Sequence, residues 1–255
     1  DEPIGPICVT DVGRNAVMVF DQVNKHFHLW KWAGKGERFL APMGIAAGVV
    51  GTLLVADAEL KVVVRLSRNG EPLGQFGKVL LNRPTGIARD SKRGRIYVAD
   101  TQDHNIKVFN DDGELPDTLR QRGEKVGEFN FPTHIAFTND QLYVTDSRNA
   151  RIQVLDAEGV TKSSLCERGL FVVHLPFPKG VAADNDGNIY VVESYFDHLL
   201  VYNAQGELLL PIGGSGQGIG QFYLPAGVWT DNNNRIYIAD MFNGRVVVIQ
   251  YLGGE

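Results

Sequence analysis

The sequence repeats, and the period of the repeat constrains the fold more than any other feature. Six apolar runs each close on an acid: Ile7-Cys8-Val9-Thr10-Asp11, Leu53-Leu54-Val55-Ala56-Asp57, Ile96-Tyr97-Val98-Ala99-Asp100, Leu142-Tyr143-Val144-Thr145-Asp146, Ile189-Tyr190-Val191-Val192-Glu193 and Ile236-Tyr237-Ile238-Ala239-Asp240. The acids lie 46, 43, 46, 47 and 47 residues apart. Prolines at 42, 84, 132, 178 and 225 each lead a short apolar run, as in Pro84-Thr85-Gly86-Ile87-Ala88. A third run follows each acid after a short loop, for example Ile106–Phe109 and Val246–Ile249. A glycine then tends to follow four residues on, at Gly70, Gly113, Gly159 and Gly206.

Runs of β-branched and aromatic residues bounded by Gly, Asn and Asp read as strands, so each unit predicts an antiparallel meander. Strand a follows the proline, strand b ends in the acid, and strands c and d complete the unit. Proline just ahead of strand a costs no ladder hydrogen bond. One four-stranded blade cannot bury both faces, whereas six in a ring bury them against each other. The expected fold is all-β: a six-bladed β-propeller of four-stranded antiparallel blades in a single domain over residues 1–255. The blades divide at about 1–36, 37–78, 79–127, 128–172, 173–220 and 221–255. Asp1–Ile7 aligns with Asp90–Ile96, so blade 1 is expected to lack its inner strand a and blade 6 its outer strand d. One upstream segment, ending in a Pro-x-Gly-type strand, would supply both.

The pattern Pro-x-Gly-Ile-Ala … Ile-Tyr-Val-Ala-Asp … Arg-Ile-x-Val-Phe … Gly resembles the NHL-repeat family, in its bacterial exported type, and the resemblance covers the whole chain. Trp-Asp pairs and a Gly-Gly in every blade, which WD40 and kelch propellers need, are missing. The resemblance implies a binding or assembly module outside the cytoplasm (periplasmic, outer-membrane-attached or extracellular), with a lipid anchor on any N-terminal extension. By the same resemblance its partner is a protein, and a multihaem c-type cytochrome is a candidate. Two other readings stay open. Some six-bladed relatives are zinc lyases with channel histidines, which would make this chain a metal-dependent lyase or hydrolase with its site near His134. Eukaryotic NHL proteins bind RNA, but phosphate contacts need a basic face, and the net charge here is −5. No apolar run reaches membrane-spanning length.

The six recurring acids Asp11, Asp57, Asp100, Asp146, Glu193 and Asp240 could form a cation ring. A feature repeated in every blade is architectural, however, and these are expected to accept hydrogen bonds from neighbouring loops and from Arg151 or Arg245. Zinc catalysis needs three converging ligands. Of the six histidines only His134 sits on an inner strand, in the place of Gly86 or Gly227, and it is the channel candidate. His26 and His28 share one face of an outer strand. The strand-a residues supply no carboxylate for a hard-cation cage, so no catalytic residue, metal or cofactor is expected. The run Gly213–Gly220 lacks the GxGxxG spacing and a following helix, so it is not a phosphate cradle.

The remaining candidate is apolar. The b–c and d–a loops of a propeller emerge on one face. In blades 4 to 6 they carry Phe131, Phe177, Tyr195, Phe196, Leu224, Met241 and Phe242, whereas Ala41 or Arg83 precedes the earlier prolines and the b–c loops of blades 1, 3 and 4 are polar. Contiguous exposed apolar surface marks interfaces, and aromatics anchor them. Cys8 and Cys166 fall in blades 1 and 4, across the ring, and are expected to be free thiols.

Overall fold

The structure, a computed structural model, describes residues 5–165 and 175–250. Its contacts group the chain into two compact units, Asp1–Leu119 and Arg120–Glu255, where the sequence reads as one domain. In the first unit, β1 (Ile7–Asp11), β2 (Ala16–Asp21) and β3 (His26–Trp30) form one sheet, followed by a small hairpin of β4 (Trp32–Gly34) and β5 (Glu37–Arg38). Next come the sheets β6 (Pro42–Ala47), β7 (Thr52–Asp57), β8 (Val62–Ser67), β9 (Pro72–Phe76) and β10 (Pro84–Asp90), β11 (Arg95–Asp100), β12 (Asn105–Asn110), β13 (Asp117–Leu119). The second unit holds β14 (Pro132–Thr138), β15 (Gln141–Asp146), β16 (Arg151–Asp156), β17 (Thr161–Leu165), then β18 (Pro178–Ala183), β19 (Ile189–Glu193), β20 (His198–Tyr202), β21 (Leu208–Gly213). It ends with β22 (Pro225–Thr230), β23 (Arg235–Asp240) and β24 (Arg245–Gln250).

Every sheet is an antiparallel meander in sequence order, and together they make the all-β six-bladed propeller. Among the described residues the first and last sheets have three strands each. The first starts with the strand that ends in Asp11, and the last stops at the strand that follows Asp240. The only described helix is a single 3-10 turn, Ser147–Asn149.

The prolines are the first residues of their strands rather than the residues before them. Each pairs with the acid that closes the next strand, as in Pro84↔Asp100 and Pro132↔Asp146, and the register slips directly afterwards in all five blades. The irregularity places the missing N–H where no ladder bond is made. Gly44, two residues after its proline, is held by close approach: a Cβ there would lie 2.2 Å from the carbonyl oxygen of Thr85 on the next blade.

Apolar faces of successive blades close on each other within each unit. Val55 and Val64 of blade 2 pack with Val17 and Val19 of blade 1, while Leu54 and Val63 pack with Ile96 and Phe109 of blade 3. In the second unit Tyr143 and Ile152 meet Val181 and Val191, and Tyr190 and Leu199 meet Ile236 and Ile238. Each such side chain, removed from water, contributes about 1.5–3 kcal/mol.

Blade 3 carries an ion pair of its own, and blade 2 reaches the same residue through Arg65. Arg89 donates twice to the Asp111 carboxylate, at 2.7 and 2.6 Å, and Arg65 donates to the Asp111 carbonyl at 2.6 Å. The Arg89 guanidinium holds the Asp111 carboxyl below the usual carboxylate range. A lowered folded pKa contributes stability that is present above the unfolded value of about 4 and is lost as pH falls through the folded value. Asp111→Asn is therefore expected to destabilise by about 1 kcal/mol at pH 7, the pair being partly exposed. The gap to the native protein, followed by urea denaturation, should close below about pH 4; a gap that persists there rules the ion pair out as its source.

Candidate functional site

The acids at the ends of the b strands fasten the loops. Asp57 accepts from the backbone N–H groups of Leu40, Ala41, Glu59 and Leu60 at 2.8–3.1 Å. Asp100 accepts from Asn82 and Arg83. Glu193 accepts from Phe177, Tyr195 and Phe196, and Asp240 from Tyr223, the Asn243 amide and Arg245 Nε. Asp146 takes Asn130 N–H, the amides of Asn149 and Gln153, and Arg151 Nε. Asp11, more exposed, is bonded to Arg14 alone among the described residues. The carboxylates of Asp11, Asp57, Asp146, Glu193 and Asp240 thus pin their own b–c loops, and in all five blades after the first the acid also pins the incoming d–a loop. Burial pushes the Asp100 and Asp146 carboxyls up, against these donors. No group of three or more His, Cys, Asp or Glu is placed to hold a metal among the described residues.

The pinned loops of the second unit display aromatic rings. Phe177 and Phe242 are each 61% exposed and Tyr195 is 55% exposed, with Met241 also exposed. Phe177 stacks on Tyr195 with centroids 6.1 Å apart, and Tyr195 meets Phe196 edge-on at 4.8 Å. Phe196 and Leu224 are half-buried. Phe131 is half-buried as well, under the Arg148 guanidinium at 4.1 Å. The sequence reading passed over Tyr223, which is exposed and packs against Phe242 at 5.4 Å. Phe131 and Leu224 adopt left-handed backbone with φ 56° and 47°, a conformation non-glycine residues rarely hold. For Leu224 the holding group is Asp197, which accepts its N–H at 2.7 Å and the Ser215 hydroxyl at 2.6 Å.

The glycine run has the opposite polarity to a phosphate cradle. The carbonyl oxygens of Gln217, Gly218 and Gln221 converge on the Arg245 guanidinium at 2.8–3.1 Å, and Gly216 accepts from Asn243. Arg151 gathers the carbonyls of Glu124, Lys125 and Glu128 in the same way. His134, on β14, has its Nδ1 3.2 Å from the Thr133 hydroxyl. Burial, with Lys179 adding to it, pushes the imidazole down to about 4, so it is neutral at pH 7. His26 and His28 are exposed neighbours on β3, their rings 6.1 Å apart. Cys8 is a free thiol that burial pushes up to about 11, well away from a reactive thiolate. Cys166 lies outside the described residues.

Residues 81–109 and 129–155 match the NHL repeat, and residues 181–253 match a 6-bladed beta-propeller domain. The human NHL-repeat-containing protein 4 is 34% identical over 74 residues, 29% of this chain and 58% of that protein. This chain carries NHL repeats in a six-bladed β-propeller. The NHL propeller spans somewhat more than half the length of that relative. Among solved structures, a chain of the nidogen/laminin complex superposes with a TM-score of 0.71 at 18% identity, covering 92% of this chain and 86% of its own. The virginiamycin B lyase of Staphylococcus aureus gives 0.67 at 14% identity, covering 100% and 83%. At such identities the likeness is one of fold, which hosts many functions. No helix among the described residues of the NHL propeller is long and apolar enough to cross a membrane.

Proposed function

We propose that this NHL propeller is a non-catalytic binding scaffold that holds a protein partner on the loops of blades 4 to 6. The observation that carries this reading is the set of exposed rings, Phe177, Tyr195, Tyr223 and Phe242, on loops whose backbone N–H groups are pinned by Glu193 and Asp240. Exposed aromatics on a rigid frame bind with little ordering cost. A similar propeller chain occurs in the nidogen/laminin complex, which is a protein assembly. Family resemblance extends the proposal to a site outside the cytoplasm and to a multihaem c-type cytochrome as partner, which haem absorbance in the captured material would reveal. The lyase reading rests on one neutral imidazole, His134; a stoichiometric bound metal that disappears in His134→Gln would favour it.

The test is capture of the partner by the native protein and by Phe177→Ala with Phe242→Ala. The double variant should bind at least about thirtyfold more weakly, the equivalent of about 2 kcal/mol lost from aromatic anchors. Its melting temperature should stay within about 2 °C, since both rings are exposed. Undiminished capture, or a steep fall in melting temperature, would overturn the reading.

A further inference from the structure

A second site candidate lies in the first unit, far along the chain from the aromatic loops. A cleft of about 570 Å³, within the size range of small-molecule sites, opens between β3, the β4–β5 hairpin and the turn that joins β8 to β9. Trp30, Lys31, Trp32, Lys35, Asn69 and Glu71 line it. Trp30 is seated on Gly70: that glycine has φ +82°, and a Cβ there would fall 2.2 Å from the indole. Trp32 is 47% exposed, with the Arg38 guanidinium 5.1 Å from its ring centroid.

This cleft breaks the repeat. Trp30 pairs with Val17 as Phe76 pairs with Val63, so Trp32 occupies the place of Lys78 in blade 2. A large ring replaces a solvated chain at a position where the fold asks for nothing apolar. The other groups are an amide, a carboxylate and two ammonium groups. None of Lys31, Lys35 and Glu71 is in an ion pair among the described residues, so their hydrogen-bonding capacity faces the cleft and solvent. Burying an apolar peptide side chain beside them would leave these groups unpaired. A sugar suits both halves: one face of a pyranose is a patch of C–H bonds that fits an indole, and its hydroxyls donate and accept around the rim. Two ammonium groups against one carboxylate give the cleft a local positive balance on a chain of net charge −5.

We infer that the cleft formed by Trp30, Trp32, Lys31, Lys35, Asn69 and Glu71 binds an acidic saccharide, a sugar chain carrying carboxylates, with rings against the indoles and carboxylates at the lysines. The inference does not depend on the partner face of blades 4 to 6. The experiment is calorimetric titration of the full chain with a galacturonic acid oligomer and with a neutral glucose oligomer of equal length. The acidic oligomer should bind saturably and at least tenfold more tightly than the neutral one, and added salt should weaken it. Trp32→Ala should cost at least tenfold, and Lys31→Gln with Lys35→Gln should remove the preference for the acidic oligomer. Near-UV circular dichroism checks the fold of each variant, and the lysine pair, fully on the surface, stands if the tryptophan variant does not fold. Absence of saturable binding by either oligomer, equal binding of the two, or native affinity in the folded lysine variant would each overturn the inference.

Discussion

Asp146→Ala is expected to lower the free energy of unfolding by about 3–5 kcal/mol, a large part of the 5–15 kcal/mol that holds a typical domain. The side chain has no exposed surface and accepts from four groups: Asn130 N–H at 2.6 Å, Asn149 Nδ2 and Arg151 Nε at 2.8 Å, and Gln153 Nε2 at 3.2 Å. Removing it leaves a nearly buried guanidinium without its counter-charge and the Asn130 N–H without its acceptor, and those penalties exceed the value of the pair itself. Arg151 would still hold the carbonyls of Glu124, Lys125 and Glu128, so the loss is one of charge balance more than of loop anchoring. Asp11 makes the internal control. It occupies the same place in blade 1, but among the described residues its only partner is Arg14, and their side chains are 20% and 63% exposed. Asp11→Ala should cost under about 1 kcal/mol. Urea denaturation of the two variants decides the matter: a loss below about 1 kcal/mol for Asp146→Ala, or equal losses for both, would mean that the buried counter-charge to Arg151 does not carry this stability.

The meander was legible in the sequence because its strands alternate against turns at a fixed period, and that period needs no tertiary information. Side-chain exposure at the loops was not. Phe131, Phe177 and Leu224 all precede a strand-opening proline, yet only Phe177 is exposed. Arg148 covers Phe131, and left-handed backbone redirects both Phe131 and Leu224, neither of which composition reveals. Tyr223 lies two residues before Pro225, one place outside the repeated apolar position, so the repeat carries no signal for it. A second series of acids was also there to be read. Asp184 and Asp231 close the a–b turns of their blades and accept from the Tyr190 and Tyr237 hydroxyls six residues on, at 2.8 and 3.0 Å. Asp90 takes the same place, bonded to Lys92 and Arg93 N–H. The cleft at Trp32 left no sequence signal beyond an unusual residue, since it exists only where the β4–β5 hairpin comes to rest beside a turn some 35 residues further along.

Acid should weaken this protein through His134 at pH values where most carboxylates are still ionised. Burial and Lys179 depress the folded imidazole to about 4, whereas in the unfolded chain it titrates near 6.5. Between those values the unfolded state binds a proton that the native state refuses. A depressed folded pKa contributes stability that is present above the unfolded value and lost as pH falls through the folded one, so the window runs from about pH 6.5 down to 4. A full shift of that size corresponds to about 3.4 kcal/mol, and since the side chain keeps some solvent contact the expected loss is about 2–3 kcal/mol. His134→Gln keeps a polar group beside the Thr133 hydroxyl and cannot take up the proton. Its melting temperature should therefore fall less than that of the native protein between pH 7 and pH 4, the two curves separating below about pH 6. A histidine titration followed by NMR gives an independent reading, with the His134 midpoint near 4. Parallel melting curves, or a midpoint near 6.5, would show that the native fold accepts the protonated ring, and that β14 holds this histidine without straining against its charge.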